Sequence, residues 1–204
     1  ADLEVLARIG AAFAPSQTPT ASMQVAVFPG HLFDGTTLTE IGQYTTATTV
    51  SGNASIAVAR AEGIAVGQLV IGAGVPSGTT VSAVSGTTVT LSANATASAS
   101  NVPLAFCQLS AAIAAPASGN NRIDRVVMSR STGAVSVVTG TPTSGTPTPP
   151  AITAGTCPVA QVSLTSSTTT LTNTTNISDE RDLTLLGMSF GAAAFLGLGT
   201  GLSS

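Results

Sequence analysis

GNNRIDRVVMSRSTGAVSVVTGTPTSGTPTPPAITAGTCPVAQVSLTSSTTTLTNTTNISDERDL, residues 119–183, is the stretch on which the reading of the chain turns. The turn Gly119-Asn120-Asn121 leads into an alternating run, Arg122 to Ser129, and a Ser-Thr-Gly turn at 131–133 returns it as Ala134 to Thr139. Two alternating runs joined by a glycine turn read as a β-hairpin. A Pro/Thr/Gly loop fills 140–156, a third strand follows at Pro158 to Leu164, and a threonine run ends in Ser178-Asp179-Glu180-Arg181-Asp182. Arg122 and Asp124 stand two apart and therefore share one face of a strand, where they can pair or meet a neighbouring subunit. Ser178 or Asp179 reads as the N-cap of a short helix carrying Leu183, Leu185 and Leu186.

Composition points to the same fold class. Charged residues are 7% of the 204, lysine is absent and aromatics are 3%, against a usual charged share of about a quarter. Disorder goes with high charge and low hydropathy, whereas mean hydropathy here is +0.45. Thr and Val favour pleated, half-buried surfaces, and frequent Gly and Pro punctuate short strands. The expected fold is mostly β, with a core thin in large side chains. A net charge of −3 and six scattered arginines, Arg8, Arg60, Arg122, Arg125, Arg130 and Arg181, offer no basic stripe for nucleic acid.

Outward from the hairpin, Asp2 to Ala14 places Leu3, Leu6, Ile9 and Phe13 at helical spacing before Pro15 and Pro19. This is read as an N-terminal arm, residues 1–20, or as a short helix capping the subunit's own core, without the basic start of a signal peptide. From Met23 to Thr45 the pattern is strand, turn, strand, with turns at Pro29-Gly30 and Asp34-Gly35. Between Thr48 and Phe106 comes a succession of strands, at Ser55–Ala59, Gln68–Gly72, Thr79–Val84, Thr87–Ser92 and Leu104–Cys107. The domain reading is a β-sandwich or barrel-like base, residues 21–46 plus 117–183, interrupted by a small β-domain at 47–116 that projects outward. Leu183 to Leu202 is an uncharged, glycine-rich run without basic flanks, so 184–204 is read as an apolar tail rather than a membrane span.

Arg122-Ile123-Asp124, Pro149-Pro150-Ala151, Val159-Ala160-Gln161-Val162 and Asp179 to Leu183 together form a pattern. It resembles a module of tailed-bacteriophage virion proteins, found in fibres, baseplate appendages and capsid decoration proteins. Leu32-Phe33-Asp34-Gly35-Thr36-Thr37-Leu38-Thr39-Glu40 resembles the start of the same module. The segment Val66 to Val81 is similar to a β-module of viral and bacterial surface proteins. The resemblance implies a structural protein of the virion surface, assembled in the host cytoplasm. A capsid decoration (cement) protein is the foremost expectation, with a fibre or baseplate attachment module as the alternative and a host-glycan-binding module after it. It also implies a homotrimer partnered by the major capsid protein or another virion protein. Leu3, Leu6, Ile9, Phe13, Arg122, Asp124, Arg181, Asp182, Phe190 and Phe195 are the expected subunit-contact residues.

No catalytic, metal or cofactor site is expected. His31 is the only histidine, beside a Pro-Gly turn, with Asp34 the nearest acid. The glycine-rich loop 72–78 lacks the Gly-Lys-Ser/Thr ending of a phosphate cradle. Cys107 and Cys157 are not in a C-x-x-C arrangement and read first as buried thiols, a disulfide between them remaining open. A glycan-binding module would call for clustered aromatics with polar partners, and Tyr44 and the phenylalanines are too scattered along the sequence to predict one.

Overall fold

Every described element of the computed structural model is a strand, within residues 12–33 and 36–181. In chain order these are β1 Pro15–Gln17, β2 Val25–Val27, β3 Gly30–Phe33, β4 Leu38–Ile41, β5 Gln43–Thr49, β6 Ser55–Val58 and β7 Leu69–Gly72. They continue as β8 Val81–Ser85, β9 Thr88–Leu91, β10 Ala99–Leu109, β11 Asn121–Ser129, β12 Val135–Val138, β13 Thr156–Thr165 and β14 Ile177–Asp179. All pairings between them are antiparallel.

The largest sheet runs β1-β2-β10-β5-β6-β9-β8, with β7 also paired to β10. Its far end curls back: Leu69 bridges Thr80, and the amides of Val70 and Val81 donate to the carbonyls of Thr79 and Gln68, each at 2.9 Å. Thus β10-β5-β6-β9-β8-β7 closes into a barrel, which leaves no free edge along that circuit. Alternation decides which side chains fill it. Ile56 and Val58, Val89 and Leu91, and Val102, Leu104 and Phe106 point inward with Val70, Val81 and Ala47 to form one core. Ser55, Ala57 and Thr88 on the same strands are exposed. The core is thin, as composition predicts: among described residues the largest fully buried side chains are Phe106, Ile56 and Leu69, followed by valines.

A second layer, β12-β11-β13-β14, packs Val126, Met128, Val159, Val162 and Leu164 against Val25, Val27, Ile41 and Ile113. This is the sandwich-like base. A bulge places Val126 opposite Ala160 and Val127 opposite Pro158, so Val159 is the extra residue. Pro158, with no N–H to donate, sits beside that bulge and beyond the reach of β14.

The seam between the units differs from the sequence expectation. β5 begins at Gln43 and belongs to the barrel circuit, so residues 43–46 leave the base. Conversely, Ile113 joins the base core and its amide donates to Met23. Strand β10 crosses from one unit to the other, pairing with β5 and β7 in the barrel and with β2 in the base. The barrel is therefore built into the sheet rather than hung from a hairpin tip.

Ile177–Asp179 is strand β14, paired to Ala160–Val162, with Ile177 alternating onto the base core; the helix expected to carry Leu183, Leu185 and Leu186 lies outside the described residues. One local reading is corrected. Pro15–Gln17, taken as the end of an arm, is strand β1 against β2. Arm residues 1–11 and the tail lie outside the described residues.

Phe106→Ala should cost about 3–5 kcal/mol, the range for an aromatic deleted from a close-packed core. Because β10 serves both units, urea unfolding followed by far-UV dichroism and by Tyr44 emission should remain one coincident transition. Two separated transitions would show that barrel and base fold independently.

Candidate functional site

With 7% charged residues, where each charge goes is informative. Arg122 and Asp124, on one face of β11, form a buried bidentate pair, Nε to Oδ1 at 2.7 Å and Nη2 to Oδ2 at 2.8 Å. The Arg122 guanidinium also donates to the Ala114 carbonyl at 2.5 Å, and Asp124 accepts the Gly140 amide at 2.8 Å. On the opposite face, Arg125 grips Glu180 at 2.8 and 2.7 Å, and Gln161 donates to the same carboxylate at 2.8 Å. Arg125 also donates to the Pro150 carbonyl. One strand thereby clasps the approach to the hairpin, the start and end of the Pro-rich loop, and the segment after β14. Breaking either clasp from one side would strand a buried charge.

A third arginine, Arg181, holds Asp179 at 2.6 Å and donates to the Ala12 carbonyl at 2.6 Å. That hydrogen-bonded arginine keeps the Asp179 carboxyl below its ordinary range. The contribution is present at neutral pH and fades as pH falls through the carboxylate range.

Expected contact residues thus meet different fates. Arg122 and Asp124 pair with each other and are buried, at 8% and 1% exposure, so they are not a surface for a second subunit. Phe13 packs on the base core, its ring lying 2.9 Å from where a Gly30 Cβ would stand, so a side chain at Gly30 would require the ring to shift. Leu3, Leu6, Ile9, Asp182, Phe190 and Phe195 lie outside the described residues.

The groups the sequence did not bring together lie where the hairpin β3–β4 meets the barrel. His31 is on β3, opposite Glu40 of β4, rather than in a loop. Glu40, only 18% exposed at its side chain, meets three donors: Gln43 Nε2 at 2.6 Å, Arg60 Nη2 at 3.1 Å and His31 Nε2 at 3.2 Å. Arg60 also reaches Glu62 at 3.6 Å. His31, Glu40, Gln43 and Arg60 line a recess of about 180 Å³ with Tyr44, Pro29, Gly30, Gly42 and Ala12. Gly42 turns β4 into β5 at φ 71°, and a Cβ there would strike the Phe106 carbonyl oxygen. Tyr44 stacks on Phe28, centroids 6.4 Å apart at 11°. Phe28, in the link between β2 and β3, and Tyr44, on β5, thus form one aromatic pair. Burial, with a smaller contribution from Cys107, keeps the Tyr44 phenol above its usual range, so it is a neutral donor at physiological pH.

Next to the recess, Phe33 and Leu38 face each other across the hairpin and stand exposed at 64% and 63%. Among the described residues no group of three His, Cys, Asp or Glu could hold a metal ion. Both cysteines are free thiols, Cys107 buried and Cys157 half-buried. Compared with protein-family profiles, curated proteins and solved structures, the chain matches none.

Asp124→Asn should destabilise the fold by about 3–5 kcal/mol by leaving Arg122 uncompensated; thermal unfolding checks it. Burial pushes the Cys107 thiol up to about 12. A chromogenic disulfide should accordingly label Cys157 in the native protein and Cys107 only on unfolding, and rapid native labelling of both would contradict the packing of β10.

Proposed function

We propose that this chain is a structural protein of a tailed-phage particle, a capsid decoration protein that braces the shell by bridging capsomers. The observation that carries the reading is where the residues of the resembled pattern come to lie. Arg122 and Asp124, Pro150, Gln161 and Glu180 are those residues, and they join in two clasps that tie loop and strand ends to one hairpin. Spent on each other, these groups serve rigidity, as a mechanical role requires.

The exposed cross-strand pair Phe33 and Leu38 supplies the contact surface in this reading. The hairpin carrying it is a separate two-stranded sheet, and an outer strand of such a sheet offers unpaired backbone groups to a partner strand. Added area and hydrogen bonds between neighbouring capsomers, repeated over a shell, raise the cost of rupture under internal pressure. A homotrimer follows from the resemblance and matches three-fold positions on such a shell.

Cryo-electron microscopy of intact particles, averaged first with icosahedral symmetry and then around the tail, tests the proposal. Knobs of matching mass at three-fold or local three-fold positions are expected. Density confined to the tail or portal vertex would replace the decoration reading with a fibre or baseplate attachment module. The double variant Phe33→Ser, Leu38→Ser should keep the melting temperature within a few degrees yet lose particle binding in co-sedimentation, because exposed apolar side chains add little to the fold itself.

A further inference from the structure

We infer that the recess at the junction of hairpin and barrel is a binding site for a neutral or N-acetylated linear oligosaccharide, one sugar ring lying on Tyr44. The inference stands on the site's own chemistry.

A sugar ring presents an apolar face of C–H groups and an edge of hydroxyls, each both donor and acceptor. The recess has the counterpart of each. Tyr44 is backed by Phe28, and it remains 43% exposed and lines the cavity. Around it His31, Glu40, Gln43 and Arg60 converge from β3, β4, β5 and the loop after β6, and their hydrogen bonds fix one another in place. Convergent polar groups on a concave, partly apolar wall are what a small-ligand site requires. Donor capacity remains: the side chains of Arg60 and His31 are 61% and 54% exposed, and a guanidinium carries five N–H groups.

Size and charge narrow the ligand. At about 180 Å³ the recess is smaller than drug-sized pockets of roughly 300–1,000 Å³ and suits a single ring. A second, shallower recess of about 470 Å³ shares His31, Glu40 and Arg60 and continues past Leu38, Thr39 and Glu62. The two therefore flank one polar ridge, an arrangement for a chain of sugars crossing it rather than a lone monosaccharide. Glu40 and Glu62 offset Arg60, so an anionic polymer of uronic acids or phosphates would meet two carboxylates and is disfavoured.

The chain holds a single tyrosine and no tryptophan, so intrinsic emission reports on Tyr44 alone. The full-length protein would be titrated with cellotetraose, maltotetraose and chitotetraose, with tetragalacturonate as the anionic comparison, and binding located by amide NMR shifts. Expected is a saturable emission change with at least one of the first three, shifts centred on Gly30, Gly42 and Gln43, and weaker binding of tetragalacturonate. Arg60→Ala, at an exposed position where folding should not suffer, should weaken binding about tenfold, the scale of a lost hydrogen bond to a charged group. No saturable response to any neutral or N-acetylated chain, tighter binding of tetragalacturonate, unchanged affinity in Arg60→Ala, or shifts centred elsewhere would each overturn the inference.

Discussion

Strand β10 is the constraint on which the rest depends. It is paired on both edges, by β5 on one side and by β7 and then β2 on the other. It is also packed on both faces. Val102, Leu104 and Phe106 point into the barrel, while Ala105 and Cys107 pack with Ala26 and Leu69 on the opposite face. A strand held in this way cannot slip by one residue without turning Phe106 out of the barrel and the much smaller Ala105 or Cys107 in. Barrel closure, base packing and the place where the sheet leaves the barrel all follow from its register.

A chain with so few charges and so few large side chains must gain uniqueness in other ways. Threonine and valine are nearly interchangeable in size, so alternation alone would tolerate competing registers. The two faces of β11 counter this with directional bonds. Arg122 with Asp124 on one face, and Arg125 with Glu180 on the other, can be satisfied together only when 114, 140, 150 and 161 arrive in their native positions. A buried ion pair contributes little net stability, but misplacing one partner costs several kcal/mol. That asymmetry makes such pairs register pins.

Much of the strand pattern was legible because alternation is a local signal. The hairpin β11–β12, strand β13 and the barrel strands fall within a few residues of their sequence assignments. The failures have physical causes. Pro103 hid the start of β10, since proline argues against a central strand; it is tolerated just past a bulge and beyond the end of β7. No spacing in the sequence pairs Glu180 with Arg125, 55 residues away. His31 was read beside Asp34, its nearest acid, yet folding sets it opposite Glu40. The Phe28–Tyr44 stack joins residues on either side of a hairpin, and no sequence spacing announces it.

These last misses all gather at one place for a structural reason. The barrel interior is filled by its own side chains, and the recess beside Tyr44 lies where the sheet departs from the closed circuit. There the chain must fold a separate hairpin against the barrel wall and turn sharply into β5. Gly42 permits the turn, and Gly30 lets the Phe13 ring approach the backbone. The same geometry that keeps backbone close to backbone brings His31, Glu40, Gln43 and Arg60 to one side of Tyr44. Glu40 is largely buried there, so its three donors compensate a carboxylate that would otherwise be stranded. Arg60 and His31, the more exposed partners, keep donor capacity facing outward.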